Sequence, residues 1–293
     1  SAFAFLGALK TASAWLPKSA FPLAVGLTNT IGVLGGLLGQ PFLNHLITQY
    51  HWQHAIFLIS FFGFLLAAFI YVFLRSPPIT HGNIGKKPNL LPLLKDKQIW
   101  LLAIYAGIMV GTVVNAFSEL YDVVFLEHSL NIGVQQAAII SSMVFVGIAV
   151  GGPCHGIIAS LIKSKKNWML IANGCTIVLF TAIVFSTEIT LAPIWMYVLY
   201  FFTGFFVSSM LLAFAVARQT THQSRHAMAF ALLNMVISLC GFIFQELLGL
   251  ALSYFSHHLD PSQTQQIFFD SFWVLLVPLI ASFILCSALK RDS

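Results

Sequence analysis

Charge is what this sequence has least of. Nine Asp and Glu and fourteen Lys and Arg make up 8% of 293 residues, against 58% hydrophobic, and mean hydropathy is +0.89. Soluble domains carry about 25% charged residues, so a soluble globule around a single core is excluded. Cysteine is nearly as scarce: Cys154, Cys175, Cys240 and Cys286 show neither CxxC nor Cys/His ligand spacing and read as packed thiols. HExxH, GxSxG, the P-loop and GxGxxG are missing, and His222 and His226 stand four apart without the glutamate a metalloprotease needs. No enzyme, cofactor or metal centre is expected. The chain also lacks the charged, apolar and cleavable segments of a signal peptide at its start.

What is present is a series of apolar runs of membrane-crossing length, since about 20 residues at 1.5 Å each cross roughly 30 Å of hydrocarbon. An all-α polytopic membrane protein is predicted, with one partial span at 1–14 and eight complete ones at 23–47, 53–74, 98–128, 134–162, 168–186, 191–217, 227–253 and 268–289. The first run is short and opens on Ser1, so the chain reads as beginning inside a helix.

The few cations are not scattered. Lys18; then Arg75, Lys86, Lys87, Lys95 and Lys97; then Lys163, Lys165 and Lys166; then Arg218 and Arg225; and finally Lys290 and Arg291 fall in alternate loops. The turns between them, around 49–52, 129–133, 187–190 and 254–267, hold no Lys or Arg, which is the positive-inside pattern. The connector and the C-terminus are therefore expected in the cytoplasm, with the plasma (inner) membrane as host. The net charge of +5 is split among short loops, which argues against nucleic-acid binding. Residues 75–97, rich in Pro, Gly and Lys, read as a connector between a bundle at 1–74 and a six-helix bundle at 98–293.

Polar and small residues inside the spans carry the functional expectation. In GVLGGLLGQP, Gly32, Gly35, Gly36 and Gly39 share one helical face bordered by Asn29 and Gln40. Overlapping GxxxG spacings of this kind let a neighbouring helix approach closely, as a static or a sliding seam. In the span at 98–128, Gly111, Asn115, Ser118, Glu119 and Asp122 fall on one arc. A carboxylate costs several kcal/mol in hydrocarbon. Glu119, with Asp122, therefore either borders a wet cavity as a proton-coupling group or lies solvated where the span has already ended. Asn234, Ser238, Gly241, Gln245 and Gly249 form a matching stripe at 227–253, suited to a polar solute or to interhelical glue. Thr203, Ser208 and Ser209 offer further hydroxyls, whereas His155 reads as a packing residue.

An offset of 205 residues pairs Asn29 with Asn234, Gly36 with Gly241 and Gln40 with Gln245, and three leucine pairs agree as well. Facing repeats with the solute site between them are a common plan of secondary transporters. GALKTASAWLPKSAFPLAVGLTNTIGVLGGLLGQP resembles the fourth and fifth helices of the major facilitator superfamily, and 98–293 resembles its second half. The loop after residue 156 departs from the family pattern, keeping the basic cluster Lys163, Lys165 and Lys166 without the acidic residue.

The resemblance implies a twelve-helix plan of which this chain covers about helices four to twelve. It also implies a cavity-lining place for Lys10, where the ammonium would hold an anionic solute or pair with Glu119, unless it snorkels to the interface. The expected function is secondary active transport of a small polar organic solute, proton-coupled, with the lipid bilayer, the solute and protons as partners and no oligomer required. The alternative is a truncated, non-transporting membrane protein that binds partners; a channel is disfavoured by the Phe-rich flanks of the polar stripes.

Overall fold

In a computed structural model, residues 2–73, 91–162, 164–186, 193–259 and 263–290 are described. They divide into two compact units, 1–30 with 88–293, and 31–87. In the first lie α1 (Ala2–Trp15), α3 (Leu91–Leu94), α4 (Lys97–Val110), a π-helical stretch (Gly111–Tyr121), α5 (Asp122–Leu130), α6 (Val134–Leu161), α7 (Lys165–Phe185) and α8 (Pro193–Val207). A 3-10 turn (Ser208–Leu211), α9 (Leu212–Thr220), a second 3-10 turn (Gln223–Arg225) that runs directly into α10 (His226–His258), and α11 (Thr264–Ser287) follow. The remaining helix, α2 (Phe21–Phe73), runs from the first unit into the second.

Among the described residues, eight stretches are long and apolar enough to cross a membrane: Phe21–Gly39, Trp52–Phe73, Lys97–Leu130, Val134–Leu161, Lys165–Phe185, Pro193–Thr220, Gln223–His258 and Thr264–Ser287. They coincide with the eight complete spans expected from hydropathy, and α1 supplies the partial one. One local expectation changes. The turn placed near 49–52 is absent, and α2 continues through it for 53 residues. Gln49-Tyr50-His51-Trp52 contains neither Gly nor Pro, so nothing in the local sequence ends a helix there. Of the connector, 75–90 lies outside the described residues; beyond it, the Asp96 side chain caps α4 by accepting from the backbone N–H of Gln98 at 2.9 Å.

Close approach between helices is built on glycines. Added β-carbons at Gly147 and Gly204 would meet the backbones of α8 and α6 closer than 3.0 Å, so these two helices touch main chain to main chain. Gly152 and Gly156, one helical face away, admit the start of α2 at Gly26 and Leu23. In lipid such small-residue contacts replace the hydrophobic drive that joins helices in water. Nearer the bundle axis, Phe117 stands edge-on to Phe180 at 5.1 Å and to Phe272 at 5.3 Å, beside Phe125 and Tyr200. Asn173 on α7 donates to Ser282 on α11 at 2.9 Å, a fully buried tie between the two helices.

Candidate functional site

Two polar stripes separated by about 130 residues meet across one helix pair. Added β-carbons at Gly107 and Gly111 would strike Cys240, and from the opposite side one at Gly241 would lie 2.8 Å from Asn115 Oδ1. The missing side chains bring the π-helical stretch and α10 together. Gln245 Nε2 then donates to the Asn115 backbone carbonyl at 3.0 Å. Asn115 Nδ2 in turn donates to Glu119 Oε2 at 3.0 Å. Glu119 is exposed, Asn115 and Gln245 are half-buried, and the chain of bonds leads from the helix interface outward to a carboxylate. One turn further on, a cavity of about 560 Å³ opens between Tyr121, Val124, Leu252, Ser256 and Phe268.

The π-helix rearranges the arc expected from an ideal α-helix. Its i→i+5 turn is wider, and Ser118 follows it, donating its hydroxyl to the carbonyl of Val113 five residues back at 2.9 Å. Beyond that turn Asp122 no longer shares a face with Glu119. It is 1% exposed and takes a hydrogen bond from Ser141 on α6, with its second oxygen unpartnered, inside the bundle. The two carboxylates thus occupy different environments, Glu119 on the open side and Asp122 in the core.

The other expected residues are dispersed. Thr203 is buried and donates within its own helix to Leu199 O at 2.7 Å. Asn234 is half-buried and Ser238 exposed, the serine donating to the Asn234 carbonyl at 3.0 Å. Both share the α10 flank with Gln245. Asn29 is half-buried with its Nδ2 enclosed and unpartnered. Gly32, Gly35, Gly36 and Gly39 belong to the second unit, where an added β-carbon meets no described atom within 4 Å. The side chain of Gln40 lies outside the described residues. Lys10 is exposed and lines a different cavity, of about 250 Å³, with Ser13, Gln223, Ser224 and His226 at the beginning of α10. His155 is a packing residue, as its sequence context suggests: Trp168 Nε1 donates to its Nδ1 at 2.8 Å, which leaves Nε2–H to donate to Phe205 O at 2.8 Å.

Arg218 is the residue that sequence reasoning undervalued, treating it as one more loop cation. It is 7% exposed. Its Nη2 donates to the carbonyls of Ser13 and Leu16, both at 2.7 Å, its Nη1 to that of Pro17 at 3.2 Å, and the guanidinium lies 4.5 Å from the centre of the Phe21 ring. The planar fork takes the Ser13 carbonyl in the last turn of α1, which has no intrahelical donor, together with two carbonyls just beyond the helix end, and sits at the negative end of the helix dipole. The available signal was its position in the last turn of an Ala- and Val-rich segment, AFAVAR, where a solvated loop cation is out of place.

Comparison with known proteins places this geometry. The family model described as Major Facilitator Superfamily matches residues 1–129 and 120–293. No curated protein sequence matches significantly. Among solved structures, the chain is similar to the outward-facing crystal structure of a bacterial homologue of the iron transporter ferroportin, at 12% identity and a TM-score of 0.64. That match covers 95% of this chain and 66% of the other, so the chain spans just under two thirds of that protein's length. At this identity the likeness carries the fold alone.

Proposed function

Because the chain belongs to the Major Facilitator Superfamily, a family of membrane transporters, we propose that it is a secondary active transporter moving a small polar organic solute by alternating access, coupled to protons. The observation that carries this reading is the hydrogen-bonded run from Gln245 through Asn115 to Glu119, in spans that are otherwise apolar. Amides that both donate and accept suit a polar solute, and an exposed carboxylate at the end of the run can take up and release a proton. Asn234 and Ser238 extend the solute face along α10. Asn29 adds an amide on the first unit, and Gln40 with the Gly32–Gly39 face of the second offers a stretch almost without side chains, suited to a sliding seam. Buried Asp122 is a second proton holder, isolated from solvent by Ser141 and the aromatic core. The connector and C-terminus face the cytoplasm of a plasma (inner) membrane, in keeping with the alternating cations.

A thermal-shift panel of amino acids, organic acids, sugars and nucleosides tests the solute site. A ligand at 100 times its Kd adds about 2.7 kcal/mol to folded-state stability, and that gain should vanish in Gln245→Leu. Flux of the compound so found, in proteoliposomes under an imposed pH gradient, tests coupling: Glu119→Gln should leave facilitated exchange and abolish accumulation. Accumulation at the parental level in Glu119→Gln would end the coupling assignment.

A further inference from the structure

Donation along the polar run goes one way. Gln245 Nε2 donates to the Asn115 carbonyl and Asn115 Nδ2 donates to Glu119 Oε2, each at 3.0 Å. Those two bonds commit amide N–H groups to the helix pair and leave oxygens over. Glu119 uses one of the roughly four acceptor sites of a carboxylate, is exposed, and has no other hydrogen-bond partner among the described residues. The side-chain carbonyl of half-buried Gln245 likewise accepts from no described residue. A solute that enters here meets acceptors to spare and must bring N–H or O–H groups of its own.

Charge narrows the class further. The elements packed against the π-helical stretch are α4, α5, α6, α10 and α11, and the only Lys or Arg in them is Lys97. Lys97 opens α4, 22 residues before Glu119 and roughly 30 Å away along the helix. Lys10, the one basic residue inside a span, lines the cavity at the beginning of α10, where His226 is 19 residues from Gln245, roughly 28 Å along the helix. Nearer the run the charge is negative, since exposed Glu246 directly follows Gln245. The positive-inside bias empties the outer turns of cations, yet it does not explain why the run ends in an exposed carboxylate with acceptors left over. An anionic solute would set its charge beside Glu119 with no cation to offset either, which low dielectric makes unfavourable. A neutral polyol would find the acceptors but leave the carboxylate without a counter-charge. A primary ammonium or a guanidinium supplies both the N–H donors and the positive charge.

We infer that the solute of this site is an organic cation, a primary amine or a guanidine, held by Glu119 through a charge-assisted hydrogen bond and by the side-chain carbonyl of Gln245. The inference rests on the polar run being the solute site and adds the charge class to it. Asn115, bonded to both residues, spans the distance between them and fixes the carboxylate. Glu119 is then the specificity-determining residue, because it alone distinguishes a cation from a neutral donor, whereas Gln245 accepts from an ammonium and from a hydroxyl alike.

The test is calorimetric titration of the purified full chain, at neutral pH, with one carbon skeleton bearing different charges: butylamine, butylguanidine, butanol and butyrate, and the phenethyl compounds with the same end groups. The amine or guanidine of at least one skeleton should bind about tenfold tighter than its alcohol and its carboxylate, the worth of one charge-assisted bond. Glu119→Gln should shrink that preference to less than about threefold while the alcohol is held as in the parent. Glu246→Gln removes the same charge from another face of α10 and should leave the preference intact, which separates Glu119 from the general field. Unfolding temperatures of the ligand-free variants within about 2 °C of the parent separate lost binding from lost structure. Alcohol or carboxylate held as tightly as the cations, with binding lost in Gln245→Leu, overturns the charge class and leaves the solute site standing. A preference for cations that persists in Glu119→Gln overturns the role given to that residue. Binding of none of these compounds, or cation binding indifferent to both Glu119→Gln and Gln245→Leu, overturns the inference and the solute site together.

Discussion

Arg218→Leu is the perturbation with the most legible consequence. Three hydrogen bonds and a ring contact are removed at once: two bonds at 2.7 Å, one at 3.2 Å, and the Phe21 face at 4.5 Å. At about 1 kcal/mol net per bond after exchange with water, the three contribute about 3 kcal/mol. The ring contact adds about 0.5–1 kcal/mol, and the relief of desolvating a guanidinium offsets a similar amount. Arg218 thus contributes about 3 kcal/mol to keeping the corner between α1 and α9 closed, and its loss raises the open fraction by roughly a hundredfold. The reporter is Ser13→Cys, buried at 7% exposure on the α1 side of the clasp, in a background with the four native cysteines replaced. Its reaction rate with a membrane-impermeant maleimide, applied from the side of the Lys18 loop, reads the open fraction. Arg218→Leu should accelerate labelling by one to two orders of magnitude. Arg218→Lys, which keeps the charge but loses the fork, should fall between. An acceleration below threefold in Arg218→Leu would refute the clasp, since an equilibrium so little changed leaves the three bonds with no energetic role.

Further outcomes follow from packing. Gly204→Ala forces backbone against backbone between α8 and α6, and overpacking of this kind should cost about 2 kcal/mol net of the helix-propensity gain, lowering the thermal unfolding midpoint by about 4–8 °C. Gly174→Ala, whose new β-carbon would sit 3.6 Å from Phe283 in ordinary contact, should melt at or slightly above the parent in the same assay. A double-mutant cycle of Asn173→Leu with Ser282→Ala, read by SDS titration, should return a coupling of about 0.6–1.7 kcal/mol, the range of interhelical hydrogen bonds in membranes. Gln245→Leu alone should cost no more than about 1 kcal/mol, because its bond to Asn115 O is only half-buried.

The spans were legible because a hydrocarbon slab imposes one length and one composition on whatever crosses it, and local runs such as 134–162 and 168–186 report both directly. The stripes on 98–128 and 227–253 were legible as stripes, and Gln245 does reach Asn115. Their exact membership was not. Ser118 and Asp122 left the arc because the backbone between Gly111 and Tyr121 takes a wider turn, and no residue pattern in GTVVNAFSELY distinguishes i→i+5 from i→i+4 bonding. Arg218 was illegible for another reason: its partners Ser13, Leu16 and Pro17 stand more than 200 residues away, and its charge fitted the loop pattern well enough to need no other explanation. Continuation of α2 through 49–52 was obscured by the assumption that two apolar runs imply a break, when the residues between them are all compatible with a helix.

The wide turn at Gly111–Tyr121 also has a genetic meaning. One surplus residue, slipped into a regular coil, yields this kind of backbone, and its removal restores ordinary winding while the segments on either side keep the faces they already present. A single-codon deletion inside this stretch is thus a change the helix can absorb, with Asp122 staying enclosed and only the side chains within the former wide turn exchanging places.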